Sequence, residues 1–430
     1  MKKHLHILTF LLISVFVVVG GQVTAQDYEA SKALNKSVNV PSGVVIDMKN
    51  HSGDLKFVIG DDNTVSIKTE VHVNAKSEED ATKLLEAIED FKFDLEGNRL
   101  IIDTRFYTTM NTINNKTTMV LINKDKIRLK DFEISHEVHI PKNAQLELEN
   151  KYSHVVLPDM NGEVKLNLYS GKMTAADFNS DLELTAKYSK ITAGHFNANT
   201  DFELYDTDIR FKTSNNIKIN SKYSKVEADK TGTFESESFN DKFYIDEIGA
   251  LKLNAKYSDL ESKAALSHLK LDLYDCNITI QSAHDMEFNG KYSKLKLGDV
   301  KSVRIDDMYD SNLTFGKTGQ IEIGKSKYSE FYINENSKFS IEDSYDDNVQ
   351  IGKLNNDFSG VSINGKYTKL NIDAGSVPFK IDVAMKYGKV DVPSSLKIIK
   401  QMEKNSEMEM EGGSGNPIMV RGYDNTVIVR

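Results

Sequence analysis

The chain has 430 residues, with 54 Lys and Arg against 64 Asp and Glu for a net charge of −10, and 39% of it is hydrophobic. A single Cys excludes a disulfide framework and a Cys-ligated zinc site, and the acidic balance argues against nucleic acid, whose phosphates call for cations. With 18 Tyr and 20 Phe the chain is too apolar to be disordered, and its length alone implies two to three domains unless repeats intervene.

Residues 1–25 read as a secretory signal. Lys2 and Lys3 supply the positive start, Ile7 to Val19 is apolar apart from Thr9 and Ser14, and Val23-Thr24-Ala25 forms a small-residue cleavage site. The apolar run is short for a retained membrane anchor, and no Cys near the cleavage site offers a lipid attachment. No later stretch is apolar enough to span a membrane as a helix. The mature chain keeps 52 basic and 64 acidic residues, a net charge of −12. An exported product of the periplasm or cell surface is expected.

Residues 26–145 read as a β-rich capping module. Val44-Val45-Ile46, Leu55-Lys56-Phe57 and Val65 to Val73 alternate as strands, with a turn at Gly60-Asp61-Asp62-Asn63. Ser77 three residues before Asp80 resembles a capping box, and Ala81, Leu84, Leu85 and Ile88 form an apolar stripe, which predicts a helix over 77–90 turned towards a core. Phe91 to Leu95 and Leu100 to Tyr107 flank Glu96-Gly97-Asn98 as a hairpin. Residues 108–124, rich in Thr and Asn, read as a mobile insertion. Ile134 to Ile140 and Pro141-Lys142-Asn143-Ala144 then lead into a repeat whose open edge the module would cover.

A repeat governs residues 146–393. Lys-Tyr-Ser recurs with its Tyr at 152, 188, 223, 257, 292 and 328, spaced by 36, 35, 34, 35 and 36 residues, and returns as Lys-Tyr-Thr at Tyr367. Between these lies a second form, Tyr followed by Ser or Asp, at Tyr169, Tyr205, Tyr274, Tyr309 and Tyr345, with Phe239-Asn240 once in its place. Tyr387 belongs to the first form and Tyr423-Asp424 to the second. Apolar and polar residues alternate on both sides of each Tyr, as in Leu182-Glu183-Leu184 and Ile191-Thr192-Ala193, so each unit contains two short strands. No Pro falls between Pro158 and Pro378 to interrupt a ladder. Units of ~18 residues predict the rungs of a parallel β-solenoid, about 14–15 of them over roughly 65–75 Å. An antiparallel meander of hairpins is the alternative, but Asn-Gly turn pairs occur in this region only at Asn161, Asn289 and Asn364.

The recurrent Tyr is expected to stack along the axis as a corner-fixing ladder, with a strip that stacks on sugars as the functional alternative. Leu184 precedes Tyr188 by four residues but Leu166 precedes Tyr169 by three, so the two forms face opposite ways unless a bulge intervenes. Lysines occur before the Tyr in alternate rungs (Lys187, Lys222, Lys256, Lys291, Lys327) and aspartates after it in the others (Asp206, Asp275, Asp310, Asp346). This spacing predicts a ladder of exposed Lys–Asp pairs, each worth ~0–1 kcal/mol. Residues 394–430 read as an irregular insertion containing Met402, Met408 and Met410, followed by a final rung that caps the stack.

No catalytic, cofactor-binding or metal-binding residue is assigned. His136 and His139, three apart on a strand, point to opposite faces. Cys276 reads as a small packed side chain. Glu342, Asp343, Asp346, Asp347 and Asn348 form an acidic cluster without a calcium-loop spacing and read as solvated corner charges. Parallel β-helices also host polysaccharide lyases, but only Arg210 and Arg304 lie between residues 151 and 393 to recognise a uronate.

Asn50-His-Ser-Gly-Asp-Leu55, the Ser-Glu-Glu-Asp helix start, Ile140-Pro-Lys-Asn-Ala144 and Leu146-Glu-Leu-Glu-Asn150 running into Lys-Tyr-Ser resemble the bacterial "putative adhesin" family of uncharacterised secreted β-repeat proteins. The resemblance covers about residues 40–393 and departs from it where the usual corner Gly becomes Ser after Tyr, returning at Gly388. It implies a non-enzymatic binding or scaffold surface at the cell envelope, with a surface glycan or envelope protein as partner. A structural spacer or envelope-stress protein and a polysaccharide-active enzyme are the alternatives.

Overall fold

The computed structural model describes residues 28–430 apart from 62, 115 and 405, so the expected signal at 1–25 lies outside the described residues. Among the described residues the fold is a β-solenoid of about 13 turns with rungs of ~18 residues, 74% strand with one helix. Neighbouring rungs pair in parallel at one-rung offsets, Leu166 with Leu184 and Leu251 with Leu269, which rules out the meander. The chain divides into two compact units, Met1–Asn215 and Asn216–Arg430.

In the first unit, strands Tyr28–Asn39, Thr64–Ala75 and Lys126–Ile140 form an antiparallel layer. The helix Glu78–Glu89 starts where expected: Ser77 Oγ accepts the Asp80 N–H at 3.1 Å, as an N-cap should. Ala81, Leu84 and Ile88 bury against Val71, Val73 and Leu129, while Leu85 is partly buried. The hairpin Lys92–Glu96 and Arg99–Asp103 turns at Gly97, whose φ of 63° suits glycine. Residues 108–124 are not a mobile insertion: Tyr107–Ile113 and Lys116–Leu121 form a hairpin that pairs with Lys126–Ile140. The Thr-rich composition that resembled a loop is also that of a strand, and Met119 and Leu121 bury their alternate face.

The rung Val45–Asn50 and Asp54–Ile59 is not confined to the capping layer. Val45–Asn50 pairs in parallel with both Arg99–Asp103 and Gln145–Lys151, and Asp54–Ile59 pairs with both Lys126–Ile140 and His154–Leu157. Beyond it the rungs are stacked in chain order and filled with phenylalanines. Phe196 meets Phe178, Phe202 and Phe211 at 5.6, 5.4 and 4.9 Å.

In the second unit the two short strands expected per rung fuse into single strands such as Lys242–Lys256 and Asn277–Lys291. Their alternation slips at adjacent exposed residues, as at Asp246-Glu247, where the strand bends: it keeps its register with Lys225–Phe239 but shifts against Asp259–Tyr274 between Ile245 and Ala250. Residues 394–411 are not irregular: Ile398–Lys404 and Glu407–Gly413 form a hairpin, and the latter pairs antiparallel with Phe379–Lys386, burying Met408 and Met410. The final pair, Asn416–Tyr423 and Thr426–Val429, does not cap the stack. It lies between Gly360–Lys366 and Phe379–Lys386 on one side of the corner, and between Lys369–Ile372 and Lys389–Asp391 on the other.

Candidate functional site

The corner of every rung is built around a single residue in the left-handed region. Eight tyrosines, from Tyr152 to Tyr387, hold φ between 54° and 61°, and in the intervening rungs Ser170, Asp206, Asn240, Asp275, Asp310, Asp346 and Asp424 hold φ between 45° and 56°. This settles the parity conflict. The register aligns Leu166 with Leu184 and therefore Tyr169 with Lys187, so Tyr188 stands one position later, on the kinked residue. The tyrosines occupy two adjacent columns rather than one, and the kink replaces the expected bulge. Left-handed backbone costs a bulky residue ~1–2 kcal/mol, which the ring contacts offset.

Those contacts form edge-to-face ladders. In the first unit Tyr152, Tyr169, Tyr188 and Tyr205 follow one another at 5.7, 5.5 and 5.5 Å. In the second, eleven rings from Tyr223 to Tyr387 follow at 5.3–5.7 Å, with Phe239 in sequence and Tyr423 between Tyr367 and Tyr387. The ladder is exposed, and most so at the kinked tyrosines: Tyr152 is 63% and Tyr188 48% accessible. Partial shelter, then the neighbouring phenols, holds Tyr188, Tyr292, Tyr328 and Tyr367 above the ordinary phenol range.

The residue after the kink points inward and explains the Ser of Lys-Tyr-Ser. Its N–H has no carbonyl in the ladder and needs a side-chain acceptor. Ser293 N–H donates to Ser311 Oγ at 3.1 Å and Ser311 N–H to Ser329 Oγ at 3.2 Å. Each hydroxyl in turn donates to the carbonyl two residues before it, Ser293 to Lys291 and Ser311 to Tyr309. Cys276 occupies this column, buried and bonded like a serine, with its thiol pushed up by burial. Asp241 and Asp347 occupy it as well. Asp347 is therefore not a solvated corner charge. It is 2% exposed and accepts from Ser329 N–H, Ser326 Oγ and Ser344 Oγ at 2.9, 3.0 and 2.6 Å. Burial pushes both carboxyls up, against the pull of these donors. Glu342, Asp343 and Asp346 are exposed as expected.

The expected Lys–Asp ladder does not form. Among the described residues none of Lys187, Lys222, Lys256, Lys291 and Lys327 pairs with Asp206, Asp275, Asp310 or Asp346. The register gives the reason: Lys187 lies between Tyr169 and Tyr205 in its own column, so a ring stands above and below it. Inter-rung ion pairs form instead on the flat strand faces, Lys165 with Glu183 at 3.0 Å and Lys270 with Glu287 at 2.9 Å.

His136 and His139 do point apart. His136 is 3% exposed, 2.8 Å from Thr69 Oγ1, and lowered to about 4 by burial, while His139 lies outside, 3.0 Å from Glu137. Among the described residues no group of three or more His, Cys, Asp or Glu is placed to hold a metal ion.

Beside the ladder of the first unit runs an open groove of about 600 Å³. Tyr152, Ser170 and Tyr188 form one wall, Ser153, Gly171 and Ser189 the floor, and His154, Lys172 and Lys190 the other wall, with Asp54, Asp206 and Asp208 also lining it. It is the place where carboxylates, lysines and exposed rings converge.

No protein-family model and no curated protein matches the chain. Among solved structures, a "putative cell adhesion protein" from Clostridium sporogenes is 10% identical over 93% of this chain and 99% of its own, with a TM-score of 0.16. A "putative adhesin" from Parabacteroides distasonis is 12% identical over 72% of this chain and 97% of its own, with a TM-score of 0.20. A "putative lipid binding protein" from the same organism is 10% identical over 77% and 96%, with a TM-score of 0.18. Two of these three descriptions name adhesion, as the resemblance seen in the sequence does.

Proposed function

We propose that this chain is an exported, non-enzymatic binding surface of the cell envelope, an adhesin-like solenoid that presents its tyrosine corner to a partner. The exposure of the ladder carries the reading, because a ladder serving the fold alone has no need to leave Tyr152 and Tyr188 63% and 48% accessible. Identical corners repeated along a rigid scaffold supply many weak contacts at once, and avidity multiplies them. Among the described residues no helix is long and apolar enough to cross a membrane. Proteolysis of intact cells tests the reading: digestion at the surface is expected, and full protection would place the chain in the periplasm and sink cell–cell adhesion.

A polysaccharide-cleaving reading has one observation in its favour, the lysines and carboxylates gathered in the groove of the first unit. Against it, Lys172 and Lys190 are exposed, whereas a catalytic base is tuned by burial and close partners.

A further inference from the structure

We propose that the groove of the first unit is a subsite for an uncharged, extended β-linked glycan, with one sugar lying along each rung. The proposal rests on the binding-surface reading and names its ligand. Three observations carry it: the shape of the groove, its balance of charge, and its repeat.

The groove is concave, and about 600 Å³ lies within the size range of ligand sites. Its floor lies at Gly171, where the residue after the kink is Gly in place of the Ser, Thr, Asp, Asn or Cys found at the other rungs apart from Gly388. Backbone fixes that depth, since a Cβ on Gly171 would lie 2.6 Å from the Ser153 carbonyl oxygen. The two most accessible tyrosines of the first unit's ladder, Tyr152 and Tyr188, stand over it.

Two lysines and three carboxylates line the groove, and Asp54 accepts the His154 N–H at 2.9 Å. Among the described residues Lys172, Lys190, Asp206 and Asp208 form no ion pair, although opposite charges share the groove. The groove therefore holds two cations against three carboxylates, one of which, Asp54, also accepts a backbone N–H, so its charge is close to balanced. A ligand of either net charge would meet its own sign, whereas hydroxyls both donate and accept and are served by every one of these groups. A pyranose adds an apolar C–H face, which a tyrosine ring accommodates. The rung repeat of ~4.8 Å is close to the advance of one sugar along an extended β-1,4-linked chain, so each further sugar meets the next rung in register.

The test is calorimetric titration of the mature chain with neutral β-1,4-linked oligosaccharides of increasing length. Affinity is expected to rise with each sugar up to about four, one per rung spanned, and then to level off. Tyr188→Asn, which installs the residue that Asn240 already places in this column, should weaken binding about tenfold or more. Lys270→Gln, on a flat strand face of the second unit away from the ladder, should leave it unchanged. Equal loss in both variants would overturn the groove. Absence of any sugar binding, in a protein that proteolysis still finds on the cell surface, would overturn the ligand and spare the reading beneath it. Binding that collapses with added salt would point to a charged ligand, such as an acidic peptide, and overturn the proposal. Shortening of the oligosaccharide during incubation would support the groove as a glycan site and overturn the non-enzymatic reading.

Discussion

At the residue scale the buried polar groups set the pH response. His136 titrates at about 4 in the folded chain against ~6.5 when unfolded. Between those values the unfolded state binds more protons, so this contribution is complete above pH ~6.5 and is lost as pH falls towards 4. The gap amounts to roughly 3 kcal/mol. Urea midpoints measured from pH 7.5 to 4.5 should fall in the parent and fall less in His136→Gln. Asp241 and Asp347 act in the opposite sense: their raised carboxyls favour the folded state below the unfolded value and lose that contribution as pH rises through the folded one. Removing the buried charge of Asp347 is nonetheless expected to destabilise. Its oxygens meet only donors, and the amide of Asp347→Asn would turn N–H groups towards some of them. A loss of about 1–3 kcal/mol is expected in denaturant unfolding at pH 7. A rise in stability would show that desolvation outweighs the hydrogen bonds.

At the element scale each rung joins two strand segments through one left-handed residue, and ring and hydroxyl contacts lock that corner. Tyr292→Asn removes two edge-to-face contacts, with Tyr274 and Tyr309, each at 5.5 Å. They are worth ~0.5–1.5 kcal/mol each, less about 1 kcal/mol regained because Asn tolerates the kink. A net loss of roughly 1 kcal/mol is expected, and a double-mutant cycle with Tyr309→Ala should show coupling. The strands, the helix at 77–90 and the tyrosine repeat were legible because each rests on local periodicity or a cap. The paired tyrosine columns were not, since counting by twos assumes a uniformly extended backbone and one kinked residue shifts the count by one. The inward aspartates had a signal that solvated charge obscured: Ser238-x-x-Asp241 and Ser344-x-x-Asp347 each place Ser three residues before Asp, across the corner from it. The groove needed the four rungs of Tyr152, Ser170, Tyr188 and Asp206 brought side by side, which no local window contains.

At the scale of the whole molecule, chain order and stacking order differ at both ends, within each unit separately. The alternation of corner types held the clue for the second unit: Tyr367 and Tyr387 are both of the first form with no second-form corner between them, and Tyr423 fills that place. Deletion of residues 416–430 should therefore not shorten the stack by one dispensable end rung. It removes the layer that pairs with Gly360–Lys366 and Phe379–Lys386 and opens two bare edges. Such edges template aggregation, so loss of the soluble monomer in size-exclusion chromatography is expected, whereas a soluble, cooperatively unfolding product would contradict it. The same interleaving bears on how the chain is made. Within each unit the other rungs can add one by one as the polypeptide emerges, but the layer at 45–59 waits for partners up to residue 157, and the layer at 360–372 waits for residues 418–429. Each end thus acts as a clasp that only later-made sequence can close.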